Sequence, residues 1–314
     1  MQRVQQAGDL RCGVIPSSAS FSQLNTEGNW QGFFIDQCRA LAAAVLGDPD
    51  AVVFHEISPA SRLKVLGQDL VDVVMTNTTW TIGREGGYGV LFPAIYLYDG
   101  QAVVAHKSKG WKRLEDVDKA TLCVEPNSTT YHNMMEWAKR HKKELTVLKL
   151  RQDGNLASLL KGRCDMTTDD RISLMANVLA LSQHPERYHL FDTILSREPL
   201  GPMVAAGDSH WFRVVRAVVH GLILAEELGI DRDNLEQQLR SSKQAESRRL
   251  LGLEGEVGAA LGLDGQWAVR MIRAVGNYKT MYSQHFGKNS ALKLPRGPNA
   301  LWRDGGLLYA PVFR

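Results

Sequence analysis

Short apolar strand patterns alternate with amphipathic helix patterns through the first half of this 314-residue chain. Residues 10–76 hold three apolar stretches typical of strands, "LRCGVI", "AVVFHEI" and "LVDVVMT". Two helical patterns lie between them: "FIDQCRALAAAVLG", which is expected to end at Gly47, and the shorter "SRLKVLGQD". Alternation of this kind predicts a parallel or mixed α/β sheet.

The same layout recurs from residue 121 to 168, in "TLCVE", "TYHNMMEWAKRHKKE", "LTVLKL", "LASLLKG" and "CDMTT". Residues 63–80 and 156–171 echo each other, since each combines a short apolar helix pattern, a glycine, an aspartate, a strand and a polar loop. Asn77 and Asp170 occupy equivalent places in the two echoes. Because loops at the carboxyl ends of strands line the ligand crevice of open α/β sheets, two lobes are expected to offer matching loops to one cleft. Two unrelated α/β segments remain the alternative.

Two extended segments are expected to connect the lobes, "YDGQAVVAHK" and "SREPLGPMVAAG". Proline keeps the second one extended, because a residue before proline avoids the helical conformation. Two crossings predict a hinge. The expected division is a first lobe of residues 1–104 and 203–314, with a glycine-rich C-terminal extension from about residue 240, and a second lobe of residues 105–202.

Composition and charge exclude several classes of protein. The chain is 44% hydrophobic and 23% charged, which is ordinary for a folded globular protein. Its net charge of +3 is spread along the sequence, and the run "KRHKKE" fits a solvated helix face better than a nucleic-acid site. No apolar run is long enough to span a bilayer. The N-terminus lacks the apolar part of a signal peptide, so the expectation is either a cytoplasmic protein or a processed form.

The four cysteines carry no metal-binding pattern, since neither CxxC nor a Cys/His spacing occurs. Pairing Cys12 with Cys38 and Cys123 with Cys164 would tie neighbouring elements within each lobe. Such pairs indicate an oxidising compartment. Four buried free thiols in a cytosolic protein remain the alternative.

The stretch "TNTTWTIGR", residues 76–84, follows a strand pattern with hydroxyl and amide side chains and one arginine. A guanidinium group binds a carboxylate through two parallel hydrogen bonds, and neighbouring donors satisfy its remaining lone pairs. Arg84 is therefore a candidate anchor for a carboxylate, with Asn77 and Thr79 as helpers. A surface salt bridge at a helix start is the alternative for Arg84.

The second lobe offers a complementary set of polar groups. Ser128, Thr129 and Thr130 follow a strand and open a helix, so their hydroxyls and the first helical amides can bind an anion. Helix capping is the alternative, and the two roles are compatible. Asp170 ends the next strand and can accept an ammonium group. Together the two lobes would bind a zwitterion.

Several stretches of the chain match a family pattern: "GNWQGFFIDQCRALAAAVLGD", "DVVMTNTTWTIGRE", "NSTTY", "GRCDMTTDD", "EPLGPMV" and "RGPNALWRDGGLLYAP". They resemble the periplasmic general L-amino-acid-binding proteins of polar amino-acid ABC importers, and the resemblance runs essentially end to end. It implies a type II periplasmic-binding-protein fold, the two-lobed Venus flytrap, with a hinge of two segments and a C-terminal extension.

The resemblance also implies roles for single residues. Arg84 would bind the α-carboxylate of an amino acid with Asn77 and Thr79, and Thr129 and Thr130 would add contacts from the other lobe. The α-ammonium would go to Asp170, although Asp169 stands beside it. Three aromatic residues would wall the cleft, with core packing as the equal alternative: Phe21, Trp80 and Tyr131.

Two further features bear on the resemblance. The four cysteines recur in the family, which favours the two disulfides and a periplasmic location with the signal peptide removed. Where members usually have a glycine before the strand aspartate, this chain has Asp69, so the preceding helix end is expected to be rebuilt.

The implied function is a monomeric receptor that captures free L-amino acids, closes about its hinge and delivers them to an inner-membrane ABC permease. No catalytic residue, metal or cofactor is implied. The alternative from another class is a cleft enzyme, because some cyclohexadienyl dehydratases resemble amino-acid-binding proteins and add a general acid. The candidate acids are Glu125, Asp169 and Glu198. A sensory or scaffold module without transport coupling is a third possibility.

Overall fold

The chain divides into two compact units. Unit 1 comprises Met1–Leu97 and Pro199–Arg314, and unit 2 comprises Tyr98–Glu198, so the chain passes between them twice. The computed structural model describes residues 1–16, 20–126, 128–149 and 152–314. Within those ranges, every helix is too short or too polar to cross a membrane.

Thirteen strands and twelve α-helices are assigned in the described part of the chain. The strands are β1 Leu10–Val14, β2 Gln23–Leu24, β3 Trp30–Gln31, β4 Val52–Glu56, β5 Val73–Val74, β6 Val90–Leu91, β7 Leu97–His106, β8 Lys119–Val124, β9 Glu144–Lys149, β10 Met166–Asp170, β11 Tyr188–Leu190, β12 Arg197–Leu200 and β13 Val204–Ala205. The helices are α1 Gln2–Ala7, α2 Phe33–Leu46, α3 Ile82–Gly87, α4 Thr129–Arg140, α5 Gln152–Leu160, α6 Arg171–Leu181, α7 Ser209–Glu227, α8 Leu235–Ser241, α9 Ala245–Leu250, α10 Val257–Ala260, α11 Trp267–Val275 and α12 Tyr278–His285.

Unit 1 is built on a parallel sheet in the order β4-β1-β5. The carboxyl ends of the three strands therefore lie at one edge, and the segments that follow them share that edge. The returning chain adds to this framework, because Met203 bridges Val74 and Leu200 bridges Thr79 in antiparallel fashion. The polar loop that follows β5 is thus fixed to the returning chain at two points, Val74 and Thr79.

Unit 2 is built on a mixed sheet in the order β11-β7-β10-β8-β9, with β7 antiparallel to β10 and the pairs β10/β8 and β8/β9 parallel. Successive residues of β8 pack into different apolar clusters: Leu122 and Val124 into one, and Cys123 into the other. This alternation places an apolar core on each face of the sheet. The predicted mixed α/β organisation is confirmed.

Helix α2 shows how the local sequence sets its limits. Apolar and alanine residues bury most of its surface, which fits a helix that packs on both the sheet and its neighbours. Gly47 follows the last helical residue with a φ of 83°. A residue with a Cβ adopts this left-handed conformation at a cost, and glycine does not. The predicted end at Gly47 is confirmed.

The predicted helix "SRLKVLGQD" is wrong, because residues 61–69 form consecutive turns. Asp69 has a φ of 53°, a conformation that aspartate tolerates better than most residues but that ends a helix. The Arg11 guanidinium bonds the Asp69 carbonyl oxygen at 2.6 Å and its carboxylate at 2.7 Å. These contacts from strand β1 fix the position of Asp69, where the sequence pattern alone would have continued the helix.

The C-terminal extension is largely helical and contributes to the core of unit 1. Residues of α12 join a buried aromatic cluster, and the Tyr278 hydroxyl donates to the Tyr96 carbonyl oxygen at 2.7 Å. Arg270 of α11 donates to the Ala43 carbonyl oxygen at 3.0 Å, which ties the extension to α2. The cluster consists of Phe21, Phe33, Phe34, Tyr96, Tyr278, Tyr282 and Phe286.

Both predicted disulfides are confirmed. Cys12 of β1 is bonded to Cys38 of α2 in unit 1, with Cα atoms 6.3 Å apart. Cys123 of β8 is bonded to Cys164, just before β10, in unit 2, with Cα atoms 5.9 Å apart. Each disulfide closes a loop within its own unit, and neither of the two links one unit to the other.

Candidate ligand-binding site

Arg84 lies in the first turn of α3, at the end of the polar loop that follows β5. Its backbone amide donates to the side chain of Thr81, the N-cap of that helix, at 3.1 Å. Its guanidinium Nη1 donates to the Thr79 carbonyl oxygen at 2.7 Å. One donor of the fork is thereby used to orient the group. Arg84, Thr79 and the half-buried Asn77 occur together on this one loop of unit 1.

The aromatic candidates differ in environment. The Phe21 ring is only 1% exposed and packs against Phe34 and Phe286, with ring centroids 5.1 Å away in each case. Trp80 is 38% exposed, and its indole N–H donates to Glu85 at 3.1 Å. In unit 1, Trp80 is therefore partly exposed, whereas Phe21 belongs to the core. Tyr131, in unit 2, packs partly against an apolar cluster of that unit.

Ser128 begins α4 in unit 2 as its N-cap. Its hydroxyl accepts a hydrogen bond from the Tyr131 amide at 3.0 Å and lies 2.7 Å from the Thr130 hydroxyl. It also donates to the Glu125 carbonyl oxygen at 2.8 Å. Capping thus holds Ser128 and Thr130 in fixed positions, while Thr129, the first helical residue, is partly exposed.

Gln101 connects the polar groups of unit 2, and the sequence patterns gave it no role. Its buried side-chain amide donates to the Thr130 carbonyl oxygen and to the Thr168 hydroxyl, both at 2.8 Å. Its oxygen accepts from the Asn133 amide at 2.9 Å. The start of α4 is therefore fixed to strands β7 and β10. The one available signal was an amide inside the otherwise apolar strand "QAVVAH".

Asp170 is the last residue of β10 and pairs with Gln101 across the strands, which places it beside the start of α4. It is 4% exposed, whereas Asp169 is partly exposed. The Asp170 amide donates to the Asp169 carboxylate at 2.8 Å. Because successive strand residues point to opposite faces, the two carboxylates do not share one direction.

Asp99 is a half-buried acid that the sequence patterns missed. Its carboxylate accepts hydrogen bonds from the Gly100 amide at 2.8 Å and from the Ile172 amide at 3.0 Å. Ile172 lies in the first turn of α6, so Asp99 holds the helix that begins directly after Asp170. Glu198, at the second crossing between the units, is buried.

Burial raises the pKa of Asp99 to about 7. Its two backbone hydrogen bonds oppose this rise, and the negative charges of Asp169 and Glu198 add to it. The charged form of Asp99 is thus disfavoured both by removal from water and by like charge. The pKa of Asp99 therefore lies near neutral pH, far above the pKa of an ordinary aspartate side chain.

We expect the stability of the protein to fall as the pH rises through the Asp99 transition. A folded-state pKa above the unfolded value gives stability that is fully present below about pH 4 and is lost as the pH rises to about 7. From pH 5.5 to 8.5 the loss is about 2 kcal/mol. Urea denaturation of the wild type and of Asp99→Asn at both pH values measures it. An equal pH dependence in the two proteins would contradict the shifted pKa.

Within the described residues, no three His, Cys, Asp or Glu side chains come together as metal ligands would. Unit 2 has a surface cavity of about 570 Å³. Its lining includes His106, Lys109, Asp165 and Tyr188, and none of the candidate ligand-binding residues contributes to it.

Comparison with known proteins relates the whole chain to solute-binding proteins. The chain is 38% identical over 312 residues to the glutamate/glutamine/aspartate/asparagine-binding protein BztA of Rhodobacter capsulatus, with 99% of this chain and 92% of BztA covered. It is 35% identical over 314 residues to the general L-amino acid-binding periplasmic protein AapJ of Rhizobium johnstonii, at 99% and 92% coverage.

A solved structure agrees with this relationship. The chain is similar to an ABC transporter/periplasmic binding protein from Brucella ovis with glutathione bound, with a TM-score of 0.96, 37% identity and coverage of 100% and 98% of the two chains. The predicted two-lobed periplasmic-binding-protein fold is thereby confirmed. Residues 10–176 match the family of bacterial extracellular solute-binding proteins, family 3. The chain belongs to this family of solute-binding proteins.

Proposed function

We propose that the protein is a periplasmic receptor that binds free L-amino acids and delivers them to an ABC-type importer. Arg84 binds the α-carboxylate with Asn77 and Thr79, and Asp170 receives the α-ammonium group beside Thr129 and Thr130. Two observations support the proposal: unit 1 holds an oriented guanidinium, and unit 2 holds a buried carboxylate at a strand end.

The chemistry of each half supports this division of roles. Arg84 Nη1 is held by a backbone oxygen, which orients the planar guanidinium, and such a group can bind a carboxylate through two parallel hydrogen bonds. Asp170 is nearly buried, and a buried carboxylate is stabilised by a cation that arrives with hydrogen-bond donors. A ligand that binds both groups favours the state in which the units close on it. The disulfides fit an oxidising compartment such as the periplasm.

The proposal includes the absence of enzyme activity. The family and the relatives named above are solute-binding proteins. Of the candidate acids, Glu198 is buried and accepts a hydrogen bond from the Ser196 hydroxyl, which suits a structural role in the crossing segment. Incubation with prephenate or arogenate should leave both compounds unchanged, and turnover would contradict this part of the proposal.

Glutathione is a second candidate ligand. The Brucella ovis protein, 37% identical and similar along its whole length, was solved with glutathione bound. The γ-glutamyl end of glutathione carries the same α-carboxylate and α-ammonium groups as a free amino acid. The proposed clamp, formed by Arg84 and Asp170 with their neighbouring hydroxyl and amide groups, would therefore bind either ligand. The residues that contact the rest of the ligand would decide between them.

A thermal-denaturation panel tests the function directly. The purified protein is heated with each of the twenty L-amino acids, glutathione, opines and short dipeptides, and hits are measured by calorimetry. A ligand at a hundredfold excess over its Kd stabilises the folded state by about 2.7 kcal/mol. We expect stabilisation by several L-amino acids and not by their D-enantiomers. A panel without any stabilising amino acid or peptide would overturn the proposal.

A further inference from the structure

Arg62 is an arginine whose burial its own surroundings do not explain. It lies in the turns that follow β4 and is only 8% exposed. Its Nε–H is buried and has no hydrogen-bond partner. Among the described residues, the structure also shows no carboxylate in ion-pair contact with the Arg62 guanidinium. A buried N–H group without an acceptor opposes folding, because it loses its hydration without compensation.

The two aspartates between Arg62 and β5 are engaged elsewhere. Asp69 and Asp72 both bind the guanidinium of Arg11, and Asp72 also binds Arg3. These ion pairs lie at the amino ends of strands β1 and β5, whereas Arg62 follows the carboxyl end of β4. Arg62 therefore takes no part in this network. Local electrostatics therefore do not account for the presence of an arginine at this position.

The backbone around Arg62 is firmly held. Its amide donates to the Ser58 carbonyl oxygen at 3.1 Å. The following residues Val65 and Leu66 pack in an apolar cluster with Val74 of β5. The guanidinium thus projects from an anchored segment, and a ligand that bound it would not have to order that segment first.

The sheet places Arg62 and Arg84 at a common edge of unit 1. Arg62 follows the carboxyl end of β4, and Arg84 follows the carboxyl end of β5. Strand β1 lies between these two strands and is parallel to both. The ends of β4 and β5 are about 10 Å apart, two strand spacings. Two arginine side chains can together span that distance with a short ligand that carries two carboxylates.

We propose that Arg62 binds a second carboxylate of the ligand and makes the receptor selective for acidic ligands. This inference rests on the proposed function, in which Arg84 binds the first carboxylate. The chemical class comprises acidic amino acids and peptides with a second free carboxylate, such as glutathione. A side-chain amide oxygen is a weaker acceptor for the same guanidinium.

Matched ligands and variants test the assignment. Affinities of L-glutamate, glutathione and L-norvaline are measured by calorimetry for the wild type, Arg62→Gln and Arg62→Lys. Norvaline keeps the length of glutamate but lacks the second carboxylate. We expect Arg62→Gln to weaken glutamate or glutathione roughly 10- to 150-fold and norvaline less than about threefold. Arg62→Lys should fall between, since ammonium keeps the charge and loses the fork.

Each other outcome overturns the proposal. Equal weakening of glutamate and norvaline would assign Arg62 a structural role, and unchanged glutamate and glutathione affinities would assign it none in binding. A wild type that binds norvaline as tightly as both acidic ligands would also contradict it, while leaving the amino-acid receptor function intact. The glutamate and glutathione arms distinguish an amino-acid from a peptide carboxylate.

Stability provides an independent readout. Without ligand, Arg62→Gln should melt at the same temperature as the wild type or higher, because the substitution removes a buried Nε–H that has no acceptor. A structural arginine would instead lower the melting temperature when removed. The exposed Arg140→Gln on α4 is the matched control and should change neither affinity nor melting temperature.

Discussion

Arg84→Ala should weaken the binding of every ligand by about a hundredfold to several thousandfold. Removing one partner of a buried ion pair costs about 3 to 5 kcal/mol, because the other charge stays desolvated without compensation. Here the stranded group would be the ligand α-carboxylate, which is common to all amino acids. The loss should therefore be independent of the side chain, unlike the selective loss expected at Arg62. Calorimetry with neutral and acidic amino acids measures both patterns.

The control for Arg84 must separate binding from folding. The Arg84 side chain donates to the Thr79 carbonyl oxygen, so its loss also frees one acceptor of the loop. Arg84→Lys keeps a cation and should bind better than Arg84→Ala but worse than the wild type. Circular dichroism and melting temperatures should be near those of the wild type. Unchanged affinity in a folded Arg84→Ala protein would refute the site and, with it, the proposed clamp.

Features set by local chemistry were predictable from the sequence. The end of α2 follows from Gly47, whose left-handed backbone is inexpensive only for glycine. The strand-helix alternation predicted both sheets, since apolar periodicity reports directly on burial. The two disulfide pairs were predicted as bonds that would tie neighbouring elements within each lobe, and the family resemblance favoured them over four free thiols.

Features set by distant contacts were not predictable. The periodicity of residues 61–69 is helical, yet Arg11, 58 positions away from Asp69, bonds the segment into turns. Asp99 acquires its raised pKa through burial and through neighbours such as Glu198, and it bonds Ile172, 73 positions away. The sequence shows that a charged residue is present, but only the fold determines whether its side chain is buried.

The proposed clamp divides in the same way into a part that the sequence predicted and a part that it did not. Arg84, Asn77 and Thr79 come from one loop, so their proximity in unit 1 follows from their spacing. The link between Asp170 and the start of α4 depends on Gln101, which reaches across 29 and 67 positions to Thr130 and Thr168. Sequence patterns indicated the groups that would contact a ligand but not the side chain that holds them in place.

Removing either disulfide should produce the largest losses of stability in the molecule. The loops closed by Cys12–Cys38 and Cys123–Cys164 span 26 and 41 residues. Chain-entropy estimates for loops of these lengths are about 3.5 and 4 kcal/mol, because each bond restricts the unfolded chain. Cys12→Ala with Cys38→Ala, and Cys123→Ala with Cys164→Ala, should lower the free energy of unfolding accordingly. Guanidinium denaturation monitored by fluorescence measures the change.

Reduction of the wild type separates the cross-link from the packing of the sulfur atoms. All four cysteines are buried, so alanine also leaves small cavities and adds to the loss. Dithiothreitol breaks the same bonds while every sulfur remains in place, and its effect should be the smaller one. Because each bond lies within one unit, the two pairs of substitutions should act additively. A reduced protein as stable as the oxidised one would show that both bonds are dispensable for the stability of the fold.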